Sequence, residues 1–425
     1  MKKSKSLTIY ILIAMILGIV VGYFCNISFP DKHTASVIAS YISLVTDLFL
    51  RLIKMIIAPL VFSTLVVGIA HMGDTKTVGR VGCKTMGWFI TASLVSLTIG
   101  LIMVSILRPG QNIDLPLPDV NASSNLKTAA LSPKDFVAHL VPTSVFEALA
   151  NNEMLQIVVF SVFFGLGLSG LGEKGKQLIG IIDQAAQVML NITGAVMKIA
   201  PIAVFAAMAS TITTQGIGIL VTYAKFMGGF YLSLFALWGV LILAGFVFLG
   251  PRTGKLVSMI REPFLLAFST ASSEAAYPKL LSQLERFGVS KRITSFVLPM
   301  GYSFNLDGSM MYCTFAAIFI AQAYNINLSL PTEISMLLLL MVTSKGMAGV
   351  PRASLVVIAA TLTTFQIPDA GLLLIMGVDQ FLDMGRSATN AVGNSIAAAV
   401  VAKWEGELSL TEEAESEAAG IPAQA

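Results

Sequence analysis

The segment DQFLDMGRSATNAVGN, residues 379–394, carries five polar side chains on one stripe of an apolar stretch, residues 371–403, that is long enough to span a bilayer. The spacings of 4, 3, 4 and 4 residues place them within roughly 80° on a helix: Asp379, Asp383, Arg386, Asn390 and Asn394. A charge at the bilayer centre costs about 2.5–3.5 kcal/mol, so the stripe must face protein or water. Mutual ion pairing and a path for an ion or solute both explain it, and the path is favoured.

The composition of the whole chain is that of a membrane protein. Apolar residues make up 55% of the 425 residues and charged residues only 12%, against about 25% charged in soluble domains. The net charge of +3 is too small and too scattered for nucleic-acid binding. The three cysteines have no metal-like spacing. We therefore expect a lipid-embedded protein without nucleic-acid partners, metal centre or organic cofactor.

Long apolar stretches predict eight spanning helices, numbered here in chain order. Helix 1 covers 7–24 and follows lysines that should remain cytoplasmic. Helices 2 to 8 cover roughly 35–72, 85–107, 142–171, 178–213, 217–249, 293–323 and 371–403. The second and fifth exceed the ~20 residues needed to span and should be tilted or broken, with Pro201 kinking the fifth. The acidic tail, 406–425, is expected to be disordered.

Two segments, 256–284 and 334–365, do not fit spanning helices. Each has apolar arms of only about 9–13 residues, too few to cross a bilayer, around a small, polar interruption: STASSEAAYP at 269–278 and SKGMAGVPR at 344–352. Unwound backbone at membrane depth occurs only where it is buried in protein or lines a wet cavity. Both are predicted to be re-entrant hairpins, a pattern that points to a transporter site at the midplane. Interfacial loops between ordinary helices are the alternative.

Between the hairpins, GYSFNLDGS at 301–309 interrupts helix 7. Its Asn, Asp, Gly and Ser residues predict a broken helix. Freed backbone carbonyls together with the Asp307 carboxylate would form an oxygen-rich site for a hard cation. The alternative is a simple kink capped by Asp307.

This order of hairpin, broken helix, hairpin and Arg-bearing helix resembles the glutamate/aspartate:cation symporter family (dicarboxylate/amino acid:cation symporters), and most closely its bacterial proton/sodium–glutamate symport proteins. The resemblance is carried by SSE with Pro278, NLDG, GMAGVP, DMGRSATN and RLIKM before Pro59, which begin at residues 272, 305, 346, 383 and 51. It implies an all-α, multi-pass protein of the cell (inner) membrane, an elevator-type homotrimer with inverted repeats. Helices 1, 2, 4 and 5 would form the trimerisation scaffold. Helices 3 and 6, from the 7–249 region, would join residues 254–405 in a mobile transport domain.

The resemblance also implies roles for individual residues. Arg386 would bind the side-chain carboxylate of the substrate and Asp383 its ammonium, while the second hairpin would act as the gate. The implied substrate-binding residues are Ser272, Ser273, Ser309, Gly349, Val350, Asp383, Arg386, Ser387 and Asn390. The implied cation-binding residues are Gly301, Ser303, Asn305, Asp307, Ser344, Asp379, Asn390 and Asn394.

The residue types favour an acidic amino acid as substrate. Such a molecule needs two cationic or N–H-rich poles and one anionic pole, and the stripe offers one Arg and two acids beside hairpin helix ends. Four-carbon dicarboxylate carriers of the family typically lack the acid three residues before the Arg, and neutral amino-acid carriers lack the Arg. We expect L-glutamate or L-aspartate. A four-carbon dicarboxylate on the same fold is the alternative, and an ion channel with re-entrant loops is the alternative from another class. An enzyme is not expected.

Four features separate the chain from sodium-coupled members of the family. Asn394 stands where those members carry an Asp, Ala92-Ser93 stands where they carry a Thr-Ser pair, Leu306 replaces a Met, and Glu274 replaces a Ser. Losing a carboxylate weakens a hard-cation site, whereas a buried Glu adds a protonatable group. The coupling ions are expected to be protons and/or sodium, with Glu274 as the candidate proton carrier. Asp307 and Asp379 are competing proton sites, and Glu274 could instead pair permanently with a lysine.

Overall fold

A computed structural model describes residues 2–70, 75–111, 141–216, 223–344 and 353–409. In these ranges the chain is helical apart from turns and one isolated antiparallel bridge between Val289 and Leu408. The first eight α-helices are α1 Lys2–Ser28, α2 Lys32–Ala70, α3 Thr75–Leu107, α4 Val145–Asn151, α5 Met154–Ser169, α6 Lys176–Val196, α7 Ala200–Gln215 and α8 Ala224–Leu249.

The second half of the chain contains shorter elements. Its α-helices are α9 Arg252–Met259, α10 Arg261–Thr270, α11 Ser273–Phe287, α12 Lys291–Phe304, α13 Asp307–Ala323, α14 Leu330–Thr343, α15 Ala353–Thr364, α16 Leu372–Met376 and α17 Asp379–Glu405. Within the described ranges, six helical segments are long and apolar enough to cross a membrane. They contain α1, α2, α3, α6 with α7, α8, and α12 with α13, so the chain has the segments of a multi-pass membrane protein.

Several predicted helix boundaries were wrong. Predicted helix 4 is split into α4 and α5, because Asn152 adopts a left-handed conformation (φ 55°) that ends α4. Predicted helix 8 begins only at Asp379, and α16 precedes it as a separate short helix. Predicted helix 2 is unbroken over 39 residues despite Pro59. In predicted helix 5 a 3₁₀ turn, Met197–Ile199, interrupts the α-helix just before Pro201, where proline fits the first turn.

Both interrupted segments contain two helical arms. Ala271 in the left-handed region (φ 49°) and Ser272 join α10 to α11, and the Ser272 hydroxyl caps α11 by accepting from the Ala275 N–H at 3.3 Å. In the second segment α14 and α15 pack against each other. Its tip, 345–352, lies outside the described residues, and with it the predicted substrate ligands Gly349 and Val350.

The most polar helices lie at the centre of the molecule. In the most apolar window of the α12–α13 segment 94% of residues are buried, whereas for α1 and α8 the fractions are 17% and 33%. Nearly every residue of α17 from Phe381 to Ala402 is buried as well. The charged and amide side chains of these central helices are therefore surrounded by protein, whereas the apolar helices α1 and α8 lie on the outside.

The acidic tail begins later than predicted. Glu405 forms ion pairs with Arg80 and Lys84 of α3, and Glu407 pairs with Arg292 at the start of α12. Residues 406–409 therefore pack against the loop between α11 and α12, where the bridge to Val289 also forms. The prediction of disorder from residue 406 was wrong for these four positions, because their carboxylate and backbone groups find partners.

Two glycines allow α1 to approach α7 closely. A Cβ atom on Gly18 would lie 2.5 Å from the Phe205 carbonyl oxygen, and one on Gly22 would lie 2.6 Å from that of Ala209. Small residues four apart let helix backbones meet where lipid offers no hydrophobic driving force. The α1–α7 contact thus depends on the absence of side chains at these positions.

Gly18→Val is expected to destabilise the protein by about 1–3 kcal/mol, because overpacking forces the two backbones apart. Gly87→Val is the matched control, since it makes the same change inside α3 where a Cβ meets nothing within 4 Å. Thermal unfolding of the detergent-solubilised variants measures the difference. Equal melting temperatures for the two variants would contradict close α1–α7 packing.

Candidate functional site

A cavity of about 580 Å³ lies where α2, α7, the α10–α11 turn, the α12–α13 break and α17 meet. Its wall contains many of the residues that the sequence singled out: Ser272, Ser273, Glu274, Ser309, Asp383, Arg386, Ser387 and Asn390. The wall also contains polar residues that sequence reasoning missed, among them Asp47, Lys54, Tyr302, Ser354 and Gln380. No sequence pattern marked these residues as part of a site, because their places on the wall depend on how helices distant in the chain pack together.

The Arg386 guanidinium is a buried charge on this wall that contacts two aspartates. Its side chain is 1% exposed, and its Nη2 atom lies 3.2 Å from Asp379 Oδ1 and 3.0 Å from Asp383 Oδ1. The guanidinium carbon sits 4.2 Å above the centre of the Tyr312 ring. Among the described residues, its Nε and Nη1 atoms have no hydrogen-bond partner. Buried N–H donors without partners are costly, so these atoms are poised to bind an anionic group.

The two acids beside Arg386 occupy different environments. The Asp379 side chain is 3% exposed and accepts a hydrogen bond from the Tyr312 hydroxyl at 3.3 Å. The Asp383 side chain is 31% exposed and lines the cavity. Asp379 therefore contacts the guanidinium from the protein interior, whereas Asp383 can contact a molecule bound in the cavity. The structure places Asp379 at the arginine, rather than in the asparagine-rich cluster with the other predicted cation ligands.

Asn390 connects α17 to the broken helix. Its Oδ1 accepts from the Gly308 and Ser309 N–H groups at 2.9 and 3.4 Å, and its Nδ2 donates to Ser309 Oγ at 3.3 Å. These two N–H groups belong to the first turn of α13, where backbone N–H groups have no hydrogen-bond partner within the helix. Asn390 thus fixes the start of α13 against the Arg386 helix.

A second polar cluster lies inside the protein at the helix break. Asn305 Nδ2 donates to Asp307 Oδ2 at 3.1 Å and to Asn394 Oδ1 at 3.0 Å, and Ser96 Oγ donates to Asp307 Oδ1 at 3.1 Å. All four side chains are fully buried. Asn305 Oδ1 and Ser303 Oγ have no hydrogen-bond partner among the described residues. Carboxylate, amide and hydroxyl oxygens of this kind suit a hard cation.

Two glycines permit this cluster to form. A Cβ atom on Gly301 would collide with the Asn394 side-chain amide, and one on Gly393 would collide with the Asp307 carboxylate. Gly301 was predicted as a cation ligand, and here its missing side chain makes room for Asn394. Gly393 was missed, because only the register of α17 against α13 reveals its role.

The remaining predicted residues lie apart from this cluster. Ser344 is buried at the end of α14, where its hydroxyl donates to the Met341 carbonyl of its own helix at 3.4 Å. Glu274, in the first turn of α11, is partly buried and lines the cavity opposite α2. Its proton-carrying role stays a prediction.

Gly393→Ala is expected to weaken cation binding at least tenfold, because the methyl group must displace the Asp307 carboxylate. Gly239→Ala on α8 is the matched control, since a Cβ atom there meets nothing within 4 Å. The measurement is the cation concentration that supports half-maximal substrate binding to purified protein. An unchanged value for Gly393→Ala would show that the Asp307 cluster holds no coupling cation.

Comparison with known proteins identifies the family of this chain. Residues 7–404 match the model of the sodium:dicarboxylate symporter family. The chain is 42% identical to a C4-dicarboxylate transport protein of Laribacter hongkongensis, over 96% of this chain and 91% of that protein. It is 42% identical to a proton/sodium-glutamate symport protein of Bacillus caldotenax, over 93% and 94%, and 38% identical to one of Bacillus subtilis, over 96% and 94%.

The match covers almost the whole chain and includes the broken helix, both interrupted segments and the Arg386 helix. These elements build the cavity and the buried Asn305–Asp307–Asn394 cluster. The chain therefore belongs to the sodium:dicarboxylate symporter family, and it is a multi-pass, cation-coupled membrane transporter rather than an enzyme.

Proposed function

We propose that this protein is a secondary active symporter that takes up acidic amino acids, L-glutamate or L-aspartate, together with protons and/or sodium. One observation carries the proposal: Asp383 reaches the cavity beside a buried Arg386 whose Nε and Nη1 donors are unpartnered. An anionic pole and a cationic pole therefore stand 3.0 Å apart on one wall.

Each charge of an acidic amino acid has a matching group on the cavity wall. The side-chain carboxylate would accept from the free donors of Arg386, whose planar fork suits a carboxylate. The ammonium would draw Asp383 away from Arg386, while Asp379 keeps its contact with Nη2. The α-carboxylate would lie at the start of α11, where Ser272 and Ser273 line the cavity and the first backbone N–H groups have no intrahelical partner.

A four-carbon dicarboxylate is the second candidate, because relatives of both names are about 40% identical to this chain. Overall similarity therefore does not separate the two substrates. Succinate has no ammonium group, so its second carboxylate would face the Asp383 carboxylate and be repelled. This local chemistry favours an amino acid.

Asp383→Asn is expected to reduce glutamate and aspartate uptake at least tenfold, about 1.4 kcal/mol, because the amide no longer attracts an ammonium. Residual succinate binding should fall less, or rise. Competition for labelled-glutamate uptake into proteoliposomes measures both. Asp47→Asn, another acid on the cavity wall, is the matched control. Equal loss of all three substrates would indicate a structural Asp383, and a wild-type preference for succinate would refute the proposed substrate.

We also propose that the protein is a homotrimer with an elevator mechanism, eight crossing helices and inverted repeats. The arms α10–α11 and α14–α15 would be re-entrant hairpins, and the second would be the gate. The packing supports two units, because the most extensive contacts of α2 are with α5, α6 and α7 and those of α17 are with α8, α10 and α13. The cavity lies between the α2–α7 surface and the α10–α11 turn with α17. A substrate bound to α17 would travel with the second unit.

The coupling ions would use two places. The Asn305–Asp307–Asn394 cluster would bind a cation, since it supplies buried oxygens including a carboxylate. Glu274 would carry a proton, because a carboxyl on the cavity wall can exchange with water and then cross in its neutral form. Protons are the proposed main driving ion, with sodium dispensable or only partly helpful.

Glu274→Gln is expected to lower net uptake driven by a pH gradient, acid outside, at least tenfold, while homoexchange of substrate is retained. The reason is that an amide keeps the neutral shape but releases no proton. Glu333→Gln, on α14 outside the cavity wall, is the matched control. Wild-type uptake that needs a sodium gradient and ignores a pH gradient would refute proton coupling. Unimpaired proton-driven uptake in Glu274→Gln would move the proton to Asp307 or Asp379.

A further inference from the structure

Glu274 faces α2 across the boundary between the two proposed units. Glu274 and Lys54 both line the large cavity. Glu274 also borders a small void whose wall includes Ile57 and Val61 of α2. Lys54 and Ile57 are three residues apart and share one face of the helix. Glu274 therefore lies near the face of α2 that carries Lys54.

Neither Lys54 nor Glu274 is engaged in an ion pair among the described residues, since neither side chain has an oppositely charged partner within 4.0 Å there. The void behind Glu274 is also bordered by Pro299, which offers no polar side-chain partner. Attraction between opposite charges is stronger beside such apolar surroundings than in water.

Few other ionisable groups compete for Glu274. From α12, Tyr302 shares both cavities with it, and among the described residues the Tyr302 hydroxyl has no hydrogen-bond partner. From α11, Tyr277 borders the small void. Across the large cavity stand Asp47 of α2 and the mutually paired Asp383 and Arg386 of α17. Lys54 is thus the unpaired cation on this wall in the part of the chain that the structure describes.

We propose that Lys54 and Glu274 attract each other across the cavity between the α2 unit and the first hairpin, and that protonation of Glu274 removes this attraction. The ionised carboxylate is attracted to Lys54 and stabilises the arrangement seen here. The neutral acid is not attracted, so the hairpin can leave α2 carrying the proton. Lys54 is then a positioning residue, and proton binding both loads Glu274 and permits movement. This inference rests on the proposed proton coupling through Glu274.

The test is the pH dependence of glutamate homoexchange in proteoliposomes at equal pH on both sides. In the wild type, exchange should rise as the pH falls, because protonation frees the hairpin. In Lys54→Gln the carboxylate loses its cation and takes up its proton at higher pH. The midpoint should therefore move upward by about one pH unit, a tenfold change in proton concentration. Lys54→Arg keeps the charge and should retain the wild-type midpoint.

Two controls separate this attraction from a general effect of charge. Arg51→Gln removes a cation one turn away that does not line the cavity, and it should leave the midpoint unchanged. Lys54→Gln placed in a Glu274→Gln background should cause no further shift. A Lys54→Gln midpoint equal to that of the wild type, or a shift that persists without Glu274, would overturn the inference. If wild-type net uptake does not respond to a pH gradient, the proposed proton coupling fails first.

Discussion

The burial of one arginine between two aspartates inside an apolar helical protein constrains the rest of the structure. Arg386 is as buried as any core side chain, and its partners Asp379 and Asp383 lie on its own helix. Lipid does not tolerate such a group, so α17 must be enclosed by other helices. Enclosure leaves two of its nitrogen atoms without protein partners among the described residues, and an unpaired buried donor is a strong reason for a ligand to bind there.

Enclosing a polar helix requires polar contacts on its other faces as well. Trp238 of α8 donates from Nε1 to Thr389 Oγ1 at 2.7 Å, and the Tyr231 hydroxyl donates to the Phe381 carbonyl at 2.5 Å. Asn390 satisfies the backbone of the broken helix. The Asn305–Asp307–Asn394 cluster and the cavity wall therefore meet the same face of α17, about one or two turns apart along the helix. A cation that orders Asn394 and Asp307 would thereby influence the position of Arg386, which offers a physical basis for coupled binding.

The cavity is lined from two sides, by α2 with α7 and by the α10–α11 turn with α17. Its α17 side carries Asp383 and Arg386, and its α2 side carries Asp47 and Lys54. In the proposed elevator mechanism, charges on one wall would change neighbours when the other wall shifts. The proposed release of Glu274 from Lys54 depends on this, because in that mechanism the two residues belong to different units.

The sequence by itself determined which residues must be hidden from lipid. The 4-3-4-4 spacing on α17, the short arms of the two interrupted segments and the NLDG break all follow from helix period, bilayer thickness and backbone hydrogen bonding, which are local properties. Only the tertiary structure decided that Gly393 makes room for Asp307, and that Lys54 and Glu274 line the same cavity. These facts depend on the register between helices that are far apart in the chain, and the period of a single helix contains no information about its neighbour's register.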